Sequence, residues 1–129
     1  MEDRNGNKAI IVDDSRAMRM ILRKMLGELG YDASEAANGQ EALQRLEQEA
    51  VPPSLMFVDW NMPVMCGIDM VKAVRADARY AAVTLIMVTT ETDIQHISEA
   101  LEAGANEYVM KPFTKEAIED KLRVLNLVQ

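Results

Sequence analysis

The sequence predicts an α/β fold in three layers, a doubly wound sheet of five parallel strands with helices on both faces. Two observations carry this prediction. Short apolar runs alternate along the chain with longer stretches whose apolar residues recur at helical spacing. The connections between them are short, which implies right-handed crossovers between parallel strands. A length of 129 residues suits one domain with its own core, and no linker or repeat divides it, so a single domain over residues 1–129 is expected.

Lys8 to Val12 reads as a strand buried on both faces. Ser15 then suits an N-cap, and Met18, Ile21, Leu22, Met25 and Leu29 form the stripe of a first helix that stops at Gly30. Asp32 to Ala36 is a weak strand. "NGQEALQRLEQE" is the second helix, halted by Pro52 and Pro53. Leu55 to Val58 is the third strand, followed by the loop "DWNMPVMCG" and a helix from about Ile68 to Asp77. Thr84 to Val88 is the fourth strand. "DIQHISEALEAGA" is the fourth helix, with Gly104 near its end. Asn106 to Met110 closes the sheet, and Thr114 caps a last helix from Lys115 to Leu127.

Composition narrows the function. Hydrophobic residues make up 49% and charged residues 27%, the balance of a globular chain. A net charge of −7 argues against nucleic acid, whose phosphates require a basic face, and against anionic lipid. No run approaches the roughly 18 apolar residues of a membrane span, and "MEDRNGNK" carries no signal segment. A cytoplasmic protein without membrane insertion is expected. Cys66 is the only cysteine, so neither an internal disulfide nor a thiolate metal cluster can form.

The apolar runs end on chemistry. "KAIIVDDS" ends in Asp13 and Asp14, "SLMFVDWNMP" in Asp59, "TLIMVTTE" in Thr89, and "EYVMKPF" in Lys111 and Pro112. In an open α/β sheet the carboxyl ends of the strands line one crevice. Three carboxylates, a hydroxyl and an ammonium therefore converge. Like charges so close repel unless a cation intervenes, and Mg²⁺ fits, because it takes carboxylates together with water and phosphate oxygens. Lys111 precedes a proline that can adopt a cis bond and can reach the crevice as a compact positive charge.

With these motifs in order, residues Lys8 to Leu127 resemble the receiver domain of two-component response regulators, most closely the single-domain chemotaxis type. "VDDS", "VDWNMP", "MVTTE" and "GANEYVMKPF" all fall in that family's order and spacing. The resemblance implies a flavodoxin-like (βα)5 fold and a phospho-accepting switch with slow self-catalysed chemistry. It makes Asp59 the phosphoacceptor. Asp14 and Asp59 would coordinate Mg²⁺ directly, Asp13 through water, and Asn61 by its backbone carbonyl. Thr89 and Lys111 would bind phosphoryl oxygens, and Tyr108 would change rotamer with Thr89. Asn61 and Glu91 would stand at the mouth of the site and set the lifetime of the phosphoryl group. Ile94, Tyr108 and Lys121 would belong to the output face. The implied partners are a sensor histidine kinase as phosphodonor and a downstream target protein, with the flagellar motor switch as a candidate. A monomer is expected.

Two departures stand out. Cys66 occupies a loop position that is acidic or polar in many relatives, and reads as a neutral replacement. The fourth helix carries Asp93, Ile94, Glu99 and Glu102, where the enteric chemotaxis relative begins that helix with lysines, so the output face is more acidic here. His96 is expected to be solvated surface. Three alternatives compete. A dehalogenase-type Mg²⁺ phosphatase needs a second aspartate two residues after its nucleophile as general acid, and Asn61 cannot give a proton. A flavodoxin-like cofactor binder needs backbone N–H groups cradling phosphate after the first strand, and "DDSRAM" puts negative charge there. A longer transcription regulator would show a linker after Leu127.

Overall fold

The structure, a computed structural model, describes residues 7–60, 62, 65–90 and 94–127, and of Ile94 the backbone alone. In chain order the elements are β1 (Lys8–Val12), α1 (Arg16–Glu28), β2 (Asp32–Ala36), α2 (Gly39–Gln48), β3 (Leu55–Asp59), α3 (Gly67–Arg75), β4 (Thr84–Thr89), α4 (Ile97–Ala103), β5 (Glu107–Met110) and α5 (Lys115–Val124). Short 3₁₀ turns at Ala78–Tyr80 and Ile94–His96 precede β4 and α4. The strands form one five-stranded sheet in the order β2-β1-β3-β4-β5, and all four pairings are parallel. This is the predicted doubly wound, flavodoxin-like fold.

Alternation along the buried strands sorts side chains into two cores. Ile10, Val12, Met56, Val58, Leu85 and Met87 pack on one face with residues of α2, α3 and α4. Ala9, Ile11, Leu55, Phe57, Ile86 and Val88 pack on the other with residues of α1 and α5. The strand order reverses between β1 and β3, and a doubly wound sheet opens its crevice at that point, beyond the carboxyl ends of the strands.

The predicted caps at Ser15 and Thr114 hold, and Asn38, read as the first residue of the second helix, caps it instead. The Ser15 hydroxyl accepts from Met18 N, Asn38 from Glu41 N and Thr114 from Ala117 N, so three helices begin where a side chain satisfies an orphan amide. Several boundaries differ from the sequence reading. α4 begins at Ile97, after the 3₁₀ turn, rather than at Asp93, which lies outside the described residues. β5 begins at Glu107, because the Asn106 side chain accepts from Leu85 N (2.8 Å) and from Arg75 Nη2 (2.9 Å) and so ties the chain to β4 before the ladder starts. α3 stops at Arg75 and α5 at Val124, followed by Asn126 at a positive φ of 62°. No helix among the described residues is long and apolar enough to cross a membrane.

Candidate functional site

β1 delivers Asp13 as it leaves the sheet, and four contacts hold it. Its amide donates to Ala36 O (3.1 Å), its Oδ1 accepts from Ser15 N (2.8 Å), and its Oδ2 faces Lys111 Nζ at 3.4 Å. The fourth contact, at its carbonyl, comes from Arg19. Asp13 is buried, whereas Asp14, one residue on, is exposed. One acid thus lies in the wall of the crevice and the other at its mouth.

β3 delivers Asp59 as its last residue, 6% exposed. The chain then bends so that Trp60 N donates to Val88 O (2.9 Å) and Gly67 N donates to Trp60 O (2.9 Å), which seats the start of α3 against the acid. Gly67 is required there. A Cβ at this position would lie 2.8 Å from Asp59 O and from Trp60 Cα, both backbone atoms.

One carboxylate oxygen each from Asp13, Asp14 and Asp59 lies within 4.8 Å of the others, the one such acidic group among the described residues. Lys111, at the end of β5, places Nζ 3.5 Å from Asp59 Oδ1 as well as near Asp13, and precedes a cis peptide to Pro112. Thr89, the last residue of β4, is 1% exposed, and its hydroxyl makes one long bond, donating to Thr90 O at 3.4 Å. The five predicted groups thus share the carboxyl ends of β1, β3, β4 and β5. Asn61 and Glu91 lie outside the described residues, as does the side chain of Ile94.

The donor set fits a hard divalent cation. All three acidic side chains offer oxygen, and Asp13 Oδ2 is fully buried without a hydrogen-bond partner, a state that is costly unless a cation faces it. Lys111 meets part of that demand.

Half-buried Tyr108, on β5, lies under Lys121, whose Nζ stands 4.6 Å from the ring centroid. Glu107 Oε1 accepts both from Lys121 Nζ (3.2 Å) and from Tyr108 N (3.0 Å). Lys121 is therefore engaged within the chain. Cys66 Sγ, exposed, donates to Asp69 Oδ2 at 3.2 Å in the first turn of α3.

His96 is exposed, as its sequence reading has it, and its ring stacks on Trp60 with centroids 5.4 Å apart and planes 8° from parallel, joining the residue after Asp59 to the approach to α4. Sequence reasoning passed over Arg19, Glu35 and Glu107. These contacts pair residues on different elements or at a strand start, where no periodic pattern marks them.

The family model of the response regulator receiver domain matches residues 9–123. The chain is 44% identical over 119 residues to the chemotaxis protein CheY1 of Helicobacter pylori, covering 92% of this chain and 95% of that one. It is 42% identical over 116 residues to the CheY homologue of Campylobacter jejuni, covering 89% and 88%. Among solved structures, the chemotaxis protein CheY4 of Vibrio cholerae superposes with a TM-score of 0.84 at 34% identity, over 92% of this chain and 98% of that one. Receiver domains bind Mg²⁺ in an acidic pocket, and the three aspartates at the sheet's carboxyl edge form such a pocket here. The chain belongs to the response regulator receiver family and is, like its CheY-type relatives, a phospho-accepting signalling switch of a two-component system rather than a classical enzyme.

Proposed function

We propose that Asp59 is the phosphoacceptor of this switch, and that residues 1–129 act as a single monomeric receiver domain in the cytoplasm. The observation that carries the assignment is the Lys111 ammonium set between two buried carboxylates, 3.4 Å from Asp13 and 3.5 Å from Asp59. A carboxylate oxygen of Asp59 attacks the phosphorus of a phosphohistidine on a sensor kinase. The new P–O bond forms as the P–N bond to the imidazole breaks, and the imidazole leaves with the electron pair. Asp59 is buried and positioned, so the cost of orienting the nucleophile is met before the donor arrives. Lys111 offers its charge to the equatorial oxygens, and the Thr89 hydroxyl, from the end of the neighbouring strand, donates to one of them.

Asp13, Asp14, Asp59 and the Asn61 carbonyl would hold Mg²⁺, which when bound offsets negative charge at the transferring group. Asn61 and Glu91 would control the approach of water and so the lifetime of the acyl phosphate. As Thr89 turns toward the phosphoryl group it vacates space beside Tyr108, whose inward turn is a two-state packing change of the kind switches use. The altered output face, which includes Ile94, Tyr108 and Lys121, then changes affinity for a downstream protein. The names of the relatives point to chemotaxis, with the flagellar motor switch as candidate partner.

The deciding experiment is mass spectrometry after incubation with Mg²⁺ and acetyl phosphate. The wild-type protein should gain one phosphoryl group, slowly and without a kinase, and Asp59→Asn should gain none. Equal phosphorylation of the two would remove Asp59 from its role.

A further inference from the structure

The carbonyl oxygen of Asp13 is held by a side chain. Arg19 Nη1, from α1, donates to it at 2.7 Å, while Nε of the same guanidinium donates to Glu35 Oε1 on β2 at 2.9 Å. Glu35 Oε2 takes a further bond from Arg23 Nη1 at 3.2 Å. The Arg19 side chain is 14% exposed, against 60% for Arg23, so Arg19 is packed into the molecule and Arg23 lies on its surface.

The oxygen that Arg19 holds belongs to the peptide unit joining Asp13 to Asp14, and that unit is planar. Fixing its oxygen fixes the plane from which Asp14 departs, and with it the angle between two adjacent carboxylates. Asp14 needs that help. Its side chain is exposed and makes no hydrogen bond or ion pair with any described residue, while Asp13 is held at its amide and at both carboxylate oxygens.

We propose that Arg19, oriented by Glu35, is a positioning residue of the phosphoryl and metal site, setting the peptide plane between Asp13 and Asp14 so that their carboxylates are arranged in advance for a divalent cation. This rests on the reading above that the aspartate trio receives Mg²⁺. Glu35 neutralises the guanidinium, so the contribution is geometric. Groups that orient metal ligands from behind commonly govern about 10- to 100-fold in metal affinity.

The sign of the effect separates this role from its rivals. Removing the Arg19 charge leaves Glu35 and the three aspartates with more negative charge between them, which by electrostatics alone favours Mg²⁺. Loss of positioning predicts weaker binding instead. A purely structural contact between α1 and β2 predicts lower stability with unchanged Mg²⁺ affinity.

The test is a titration of MgCl₂ into the full chain, followed by Trp60 fluorescence, with a urea melt of each variant. Arg19→Met should bind Mg²⁺ about tenfold more weakly. Arg23→Met, which removes a bond to Glu35 without touching Asp13, should bind it as the wild type does. Arg19→Lys keeps the charge but lacks the planar fork that holds Glu35 and the carbonyl together, and should fall between. A folded Arg19→Met with wild-type or tighter Mg²⁺ binding overturns the proposal. Should Arg19→Met not fold, Arg19→Lys decides: weaker binding supports the role, and unchanged binding overturns it. Failure of the underlying reading looks different, since the wild type itself would then bind no Mg²⁺ or Asp59→Asn would still be phosphorylated.

Discussion

Glu35 and Gly67 show how single residues support a site they do not enter. Burial raises the Glu35 carboxyl, but its bonds to Arg19 and Arg23 outweigh this and hold it below the ordinary glutamate value of 4.5. A carboxyl that titrates lower in the folded chain than in the unfolded one contributes stability above the unfolded value, and loses it as pH falls through the folded value. Glu35→Gln should therefore be less stable than the wild type at neutral pH, and urea melts of the two should converge as pH drops below the ordinary carboxylate range. A gap that persists at the acid end would assign the difference to shape rather than charge. Gly67 acts by omission. Because a Cβ there meets two backbone atoms at 2.8 Å, Gly67→Ala is expected to cost about 1–3 kcal/mol. It should also slow phosphorylation by acetyl phosphate, since relieving the clash displaces either the Asp59–Trp60 backbone or the start of α3, which Gly67 N ties to Trp60 O. A variant with the full stability loss and an unchanged rate would uncouple the two.

At the scale of elements, the strands and helix caps were the legible part. Val12, Val58 and Val88 end apolar runs whose next residues carry chemistry, and Ser15, Asn38 and Thr114 cap helices as their types suggest. The start of α4 was not legible, because 3₁₀ and α turns share nearly the same spacing of apolar residues. The start of β5 was hidden in the side chain of Asn106, which serves both Leu85 and Arg75, a fact about contacts more than 20 residues apart. Glu35 likewise owes its place to β2, a strand whose bounds were legible but whose register, setting Glu35 beside Ile11, was not. On β5 the Glu107–Lys121 pair sits against Tyr108, and both side chains are partly exposed. Such a pair contributes little, so Glu107→Gln should lower stability by at most about 1 kcal/mol. It should nonetheless shift the Tyr108 ring resonances in an NMR spectrum, because Lys121 is then free to leave the ring. Unmoved resonances would show that the lysine stays without its carboxylate.

The whole molecule keeps its chemistry at one end of the sheet and an anchor built on one arginine at the other. At that second end the Arg75 guanidinium donates to the carbonyls of Gly104 (2.9 Å), Tyr80 (3.0 Å) and Val83 (2.7 Å), as well as to Asn106. A Cβ on Gly104 would come within 2.5 Å of Arg75 Cγ, so the end of α4 is pressed directly onto this side chain. At its start, Ile97 packs against the core, and the approach to α4 is joined to the site by the His96 ring stacked on Trp60. If α4 turns about Arg75, it acts as a lever whose arm reaches, through His96 and Trp60, the residue after Asp59. An arm of seven residues is roughly 10 Å long, so a 10° swing carries its tip about 2 Å. Hydrogen exchange should find the amides of Gly104 and Ala105 slower than those around Ser98, with beryllofluoride altering the latter. In Arg75→Met the fulcrum is gone. Phosphorylation at Asp59 should survive, but the lever then moves without bearing on anything, and the free-energy coupling between phosphoryl mimic and partner should shrink from both directions alike.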